Sequence, residues 1–315
     1  MYSQLTSRNS QLTPKTTYMK KLHYHLLLPL LFLVFNLSAQ SDLDKIREEY
    51  EKLVSDPKIM YGKDKTAGKY YNIRGFKMYA ETYGSGQPLL FIHGNGGSIN
   101  NFIKQIPYFS KKYKVIVADS RAQGKSYDMK NDSLTYEMMA DDYAALLDSM
   151  KIDSAFVVGW SDGGINGLLL AMRHPEKVKK LAITGANLRP DTTAVFQEVW
   201  DLVRPSYNEI KAKTNRNMME NAGYKLLRLL CEQPNIPATD LSKVACPTLV
   251  IGGDHDVIKE SHTLEIFQHI PRAYLWILPA SGHSTPIVYA DEFNKKVDEF
   301  FNMEYRKYGA EGRFF

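Results

Sequence analysis

Two cysteines, Cys231 and Cys246, are all that 315 residues contain, too few for a disulfide framework. They read first as small buried apolar side chains, although an exported chain could pair them. No metal-ligating spacing and no dinucleotide fingerprint occurs, so neither a metal nor a cofactor is expected. The apolar run Leu26 to Phe35 is interrupted by Pro29 and falls well short of the roughly 20 residues that cross a bilayer. Stable membrane insertion is therefore not expected. From residue 40 onward the chain also lacks internal repeats and low-complexity linkers, whereas residues 1–18 are rich in Ser, Thr and Gln.

Excess charge is scarce once it is located. The net charge is +5, but Arg8, Lys15, Lys20 and Lys21 lie in the first 40 residues, which hold no acid; without them +1 remains. A near-neutral body gives no electrostatic reason for nucleic acid as a partner. With 24% charged and 44% hydrophobic residues, the composition is that of an ordinary globular protein. Met19-Lys20-Lys21, the apolar run and Leu37-Ser38-Ala39-Gln40 form the three parts of a secretory signal peptide. The expectation is a leader over 1–39, cleavage after Ala39 and export to the periplasm or beyond. A start at Met19 would give the leader an ordinary length.

From Tyr70 onward, short apolar runs alternate with helical patterns, which predicts an α/β fold with a mostly parallel central sheet flanked by helices. Strands are expected at Phe76 to Thr82, Pro88 to Ile92, Lys114 to Ala118, Ser154 to Gly159, Lys180 to Thr184, Thr248 to Ile251 and Ala273 to Leu278. Their almost wholly apolar character suits strands buried on both faces. Helices are expected at Asn100 to Phe109, Tyr136 to Met150, Gly164 to Arg173, His262 to His269 and Tyr289 to Tyr305. The alternation lapses over about 187–244, where helical patterns around Thr193 to Val203 and Tyr207 to Cys231 suggest a small cap inserted into a domain spanning 40–315. Trp200 is a candidate pocket-lining residue there.

Gly159-Trp160-Ser161-Asp162-Gly163 follows a strand and precedes a helix. In such an elbow the chain turns sharply, so a serine at its tip projects its hydroxyl above the sheet. The pattern alone is weak, and its partners decide. A serine hydroxyl needs a base to take its proton, and the base needs an acid to hold its tautomer. In elbow enzymes of this kind the chain order is serine, acid, histidine. The acid is expected after Thr248 to Ile251, in Gly252-Gly253-Asp254-His255-Asp256. The G-x-x-D spacing from Gly253 favours Asp256, with Asp254 read as a turn residue. The base is expected after the last strand, at His283 in Ser281-Gly282-His283. His174 reads as structural at a helix end; His255, His262 and His269 read as surface residues.

A tetrahedral intermediate also needs donors for its oxyanion. Strand Pro88 to Ile92 runs into His93-Gly94-Asn95-Gly96-Gly97, so the backbone N–H groups of Asn95 and Asp162 are the expected oxyanion hole. His93 is expected to brace that turn.

These motifs, with Asp119-Ser120-Arg121-Ala122-Gln123-Gly124-Lys125-Ser126, resemble the α/β-hydrolase superfamily over nearly all of the mature chain. Ala122 and Gln123 stand where a Gly-His pair is common. A narrower resemblance, to the valacyclovir hydrolase (biphenyl hydrolase-like) family, is carried by Gly159 to Ile165, Gly185-Ala186-Asn187 and Ala290 to Lys295. In that family the aspartate after the nucleophile binds the substrate's α-amino group, which implies that Asp162 binds substrate and that amino-acid esters are accepted. A carboxylate at that place would pair with an ammonium and position the adjacent carbonyl. The expected activity is ester hydrolysis through an acyl-enzyme on a small-molecule substrate. Carbon–carbon or amide bond cleavage and perhydrolysis are rivals on the same residues, and a non-catalytic ligand-binding protein is the rival of another class. Oligomeric state is not encoded in any of these features.

Overall fold

The computed structural model describes residues 40–128, 133–309 and 311–314. The expected leader over 1–39 lies outside the described residues. Helix α1 (Gln40–Ser55) leads into β1 (Gly68–Ile73), β2 (Phe76–Tyr83) and β3 (Gln87–Ile92). A 3-10 turn and the short α2 (Ile106–Phe109) precede β4 (Tyr113–Ala118) and α3 (Tyr136–Ser149). Then come β5 (Ala155–Trp160), α4 (Asp162–Arg173), β6 (Val178–Thr184), α5 (Gln197–Ala212) and α6 (Met218–Glu232). The chain finishes with β7 (Thr248–Gly253), α7 (Glu260–His269), β8 (Ala273–Leu278), α8 (Thr285–Val288) and α9 (Ala290–Asn302).

The eight strands form one sheet in the order β1-β2-β4-β3-β5-β6-β7-β8. β1 with β2 and β2 with β4 pair antiparallel; all other pairs are parallel. Side chains alternate between two cores because successive strand residues point to opposite faces. Leu90, Ile92 and Val157 join the core under α3 and α4, whereas Leu89, Phe91 and Val158 join the one that holds Phe293, Phe300 and Phe301 of α9. Burial on both faces explains why these strands are apolar throughout.

Four features depart from the sequence expectations. β1 is an additional edge strand, largely exposed on its outer residues, and without a buried face it lacks the apolar run that marks the others. The stretch Asn100 to Phe109 is broken into a 3-10 turn over Ile99–Phe102 and α2, which opens with Pro107 near its first turn; proline cannot donate the N–H that would join the two pieces into one helix. α5 instead runs through Pro205 and ends at Ala212. The carbonyl that Pro205 leaves unbonded, on Asp201, belongs to an exposed residue that water can serve. Finally, His262 is buried, not at the surface. Its Nε2 accepts the Leu188 N–H at 2.9 Å and its Nδ1 donates to Glu265 at 2.8 Å. His255 and His269 are exposed, and His174 shares Asp141 with Arg173 at the end of α4. Both cysteines are unpaired.

Among the described residues, no helix is long and apolar enough to cross a membrane.

Candidate active site

Ser161 sits between β5 and α4 with φ 58° and ψ −122°, a left-handed backbone that is strained for any residue with a Cβ. The turn closes only because Gly163 has no side chain: a Cβ there would lie 1.9 Å from the Ile92 carbonyl oxygen. The elbow is thus pressed against the end of β3, which brings Gly94 and Asn95 alongside Ser161.

β7 and β8 are neighbours, and the loops after them bring in the other two candidates. Ser161 Oγ lies 2.9 Å from His283 Nε2, and His283 Nδ1 lies 2.6 Å from Asp256 Oδ1. With the Nδ1–H donating to Asp256, Nε2 is free to accept from the serine hydroxyl. Asp254 does not reach the histidine. Its Oδ1 accepts the Ser281 N–H at 3.1 Å and contacts His255 at 2.8 Å, tying the two loops together. Burial presses the His283 imidazole down, but the carboxylates of Asp256 and then Asp162 outweigh it, and the ring ends above its ordinary value of 6.5.

Two supports of His283 escaped the sequence reading. The Trp160 indole N–H donates to the His283 carbonyl at 2.8 Å. Gly185, at φ 64°, leaves room for the ring: a Cβ there would stand 2.7 Å from His283 Cε1. The elbow pattern specified only that some residue precede the serine, and Gly185 follows a strand like many turn glycines, so neither role had a local signal.

The backbone N–H groups of Asn95 and Asp162 have no acceptor among the described residues, and both belong to segments that touch Ser161. The loop that carries Asn95 is braced twice. His93, buried and pushed down to about 4 by burial, accepts the Ser120 N–H at 2.9 Å. Gln123 Oε1 accepts the Gly96 N–H at 2.7 Å, so the residue that departs from the common Gly-His pair holds this turn.

Asp162 is 2% exposed, and burial pushes its carboxyl up to about 6 against the lowering effects of Asn95, Tyr136 and the His283 charge. Asn95 Nδ2 donates to Asp162 Oδ2 at 2.9 Å and to the Leu226 carbonyl of α6 at 3.2 Å. This one amide links the loop after β3, the elbow and the overlying helix. Trp200, 2% exposed, packs with Ala194, Val195, Val203 and Ile258 beneath Arg204; it serves the contact between α5 and the loop that carries Asp256. The roughly 660 Å³ cavity bordered by Tyr61, Lys104 and Tyr289 includes none of the candidate residues.

Residues 87–214 match the family model described as alpha/beta hydrolase fold. Serine hydrolase BPHL of Mus musculus is 27% identical to this chain, over 78% of the chain and 90% of that protein. A 2-hydroxymuconate semialdehyde hydrolase of Pseudomonas sp. (strain CF600) is also 27% identical, over 72% and 90%. The crystal structure of the enol-lactonase from Burkholderia xenovorans LB400 superposes with a TM-score of 0.64 at 22% identity, covering 75% of this chain and all of that one. The sheet order, the strained serine turn and these likenesses agree: the chain has the α/β-hydrolase fold, matches that family's model over residues 87–214 and resembles serine hydrolase BPHL.

Proposed function

We propose that this hydrolase cleaves carboxylic esters through an acyl-enzyme, with amino-acid esters as preferred substrates. The observation that carries the reading is the continuous relay from Ser161 Oγ through His283 to Asp256, at 2.9 and 2.6 Å, beside two backbone N–H groups without acceptors among the described residues. His283 Nε2 takes the serine proton as Oγ attacks the ester carbonyl, and the oxyanion forms between the N–H groups of Asn95 and Asp162. His283 then gives that proton to the departing alkoxide. In the second half, His283 deprotonates a water that attacks the acyl group, and the proton returns to Ser161 as the acid leaves.

The preference for amino-acid esters rests on Asp162. A carboxyl displaced to about 6 by burial gains more from pairing with a cation than an exposed one does. Asp162 is ionised above about pH 6, and an α-amino group stays protonated below about 8, so the pair coexists around neutrality. Export belongs to the same proposal, supported by the leader pattern; N-terminal sequencing of protein recovered outside the cytoplasm, beginning at Gln40, is the expected result.

Labelling by a fluorophosphonate probe should occur in the wild type and be absent in Ser161→Ala. Labelling retained in that variant would remove the serine from the mechanism. The substrate preference is tested with Asp162→Asn: if the ratio of aminoacyl ester to plain ester hydrolysis does not change, the role of Asp162 is lost. The likeness to 2-hydroxymuconate semialdehyde hydrolase favours one second reading, carbon–carbon bond cleavage by the same residues, which a product screen on dienone acids would detect.

A further inference from the structure

His262 is buried in the first turn of α7 and takes no part in the relay. Burying two ring nitrogens costs free energy unless both are hydrogen-bonded, and here both are. Nε2 accepts the Leu188 N–H at 2.9 Å, and the Leu188 carbonyl accepts the Ile236 N–H at 2.9 Å. Leu188 lies on the chain leading into α5 and Ile236 on the chain leaving α6, so one ring nitrogen fastens the neck of the whole excursion. Nδ1 donates to Glu265 Oε2 at 2.8 Å, and the two Glu265 oxygens take the Arg189 guanidinium at 3.0 and 2.8 Å. Leu188 and Arg189 are thus gripped together from α7. Burial first, and then the Arg189 charge, outweigh the carboxylates of Glu265 and Asp191 and hold the ring below its ordinary 6.5. Nε2 is therefore a bare acceptor at neutral pH.

The excursion also reaches the candidate site. On one side, the Leu226 carbonyl of α6 accepts from Asn95 Nδ2 at 3.2 Å, and a Cβ on the neighbouring Gly94 would stand 3.0 Å from Ser161 Cβ. On the other side, the Phe196 N–H donates to the Val257 carbonyl at 3.2 Å and the Lys259 N–H to the Ala194 carbonyl at 2.9 Å, next to Asp256. α6 thus borders the place where an ester on Ser161 would sit. Leu188 and Ile236 of the neck share one apolar core with Leu226 and Leu229 of α6, and a close-packed interior passes a shift at one point to its neighbours.

We infer that His262 is a positioning residue for substrate binding, which seats α5 and α6 beside Ser161 by holding the Leu188 N–H at the neck. This rests on the ester-hydrolase reading and adds the group that fixes one wall of its substrate site.

The test measures hydrolysis of L-alanine benzyl ester at pH 7, normalised to the sites titrated by a fluorophosphonate, in wild type, His262→Leu and His262→Gln. Leucine fills the space without an acceptor, whereas glutamine offers an amide oxygen to the Leu188 N–H and does not titrate. KM should rise about tenfold in His262→Leu, with kcat per labelled site little changed, and return toward the wild-type value in His262→Gln. A ring that only stabilised the fold would lower the number of labelled sites and leave KM alone. That result, or a glutamine variant as impaired as the leucine one, would overturn the proposal. Hydrogen exchange decides the matter without any variant, so a His262→Leu chain that fails to fold does not shelter it. In the wild type the Leu188 and Ile236 amides should open together with α5 and α6, ahead of β5 and β6; opening of α5 and α6 with both amides still protected would also overturn it. A wild type inactive on the ester would remove the ester reading, and the exchange result would still stand or fall by itself.

Discussion

Replacing Asp162 by asparagine should make the protein more stable while making it a poorer enzyme, and the size of the gain can be worked from the site. The carboxyl titrates near 6 in the folded protein against an ordinary 3.8, a difference of about 2.2 units, which at 1.36 kcal/mol per unit is about 3 kcal/mol. The sign follows from proton binding. A raised folded value means that the native state holds the proton more tightly than the unfolded chain, so stability falls as pH rises from about 4 to about 6. Above that window the full penalty is present; below it the penalty is gone. Asparagine keeps an oxygen for Asn95 Nδ2 and brings no charge to bury. Urea unfolding of both proteins at pH 4 and pH 7.5 is the assay. The variant should be ahead by about 3 kcal/mol at pH 7.5, with the gap nearly closed at pH 4. A gap that does not change with pH, or a variant that is less stable at pH 7.5, would refute the assignment of burial as the dominant influence on Asp162.

The same substitution removes one of the negative charges that raise His283, so the acid limb of the kcat/KM profile, expected above the ordinary histidine value in the wild type, should move to lower pH. Gly185→Ala puts a methyl group 2.7 Å from His283 Cε1 at a positive φ, and kcat should drop on the order of 100-fold as the imidazole is displaced, measured under substrate saturation. Trp160→Phe removes the N–H that holds the His283 carbonyl, and activity should fall more steeply with urea than the folded fraction read by circular dichroism. Arg121→Met strips the fork that binds Asp142 at 2.6 and 2.8 Å and leaves that buried carboxylate poorly compensated, which should cost about 3–5 kcal/mol in urea unfolding.

What could be read in advance follows from how locally each feature is written. The elbow is five consecutive residues whose constraints are nearly all among themselves, so Ser161 stood out. Asp256 and His283 are remote from it, but each sits in a loop after a recognisable apolar strand, and the order of strands carried them to the site. β1 was missed because an edge strand with exposed side chains has no apolar signature. His262 looked like any polar residue on a helix; its burial depends on the Leu188 N–H, which arrives from 74 positions away. Gly185 shares that difficulty. The room it leaves for His283 exists only once separate strands have come together.

The three residues proposed to act together come from opposite sides of the α5 and α6 excursion: Ser161 follows β5, while Asp256 and His283 follow β7 and β8. The joint between β6 and β7 is therefore also the joint between two incomplete half-sites. On the proposed mechanism, turnover requires both halves to be docked, so a chain divided in the 213–217 connection should be silent as separate pieces and active on reassociation.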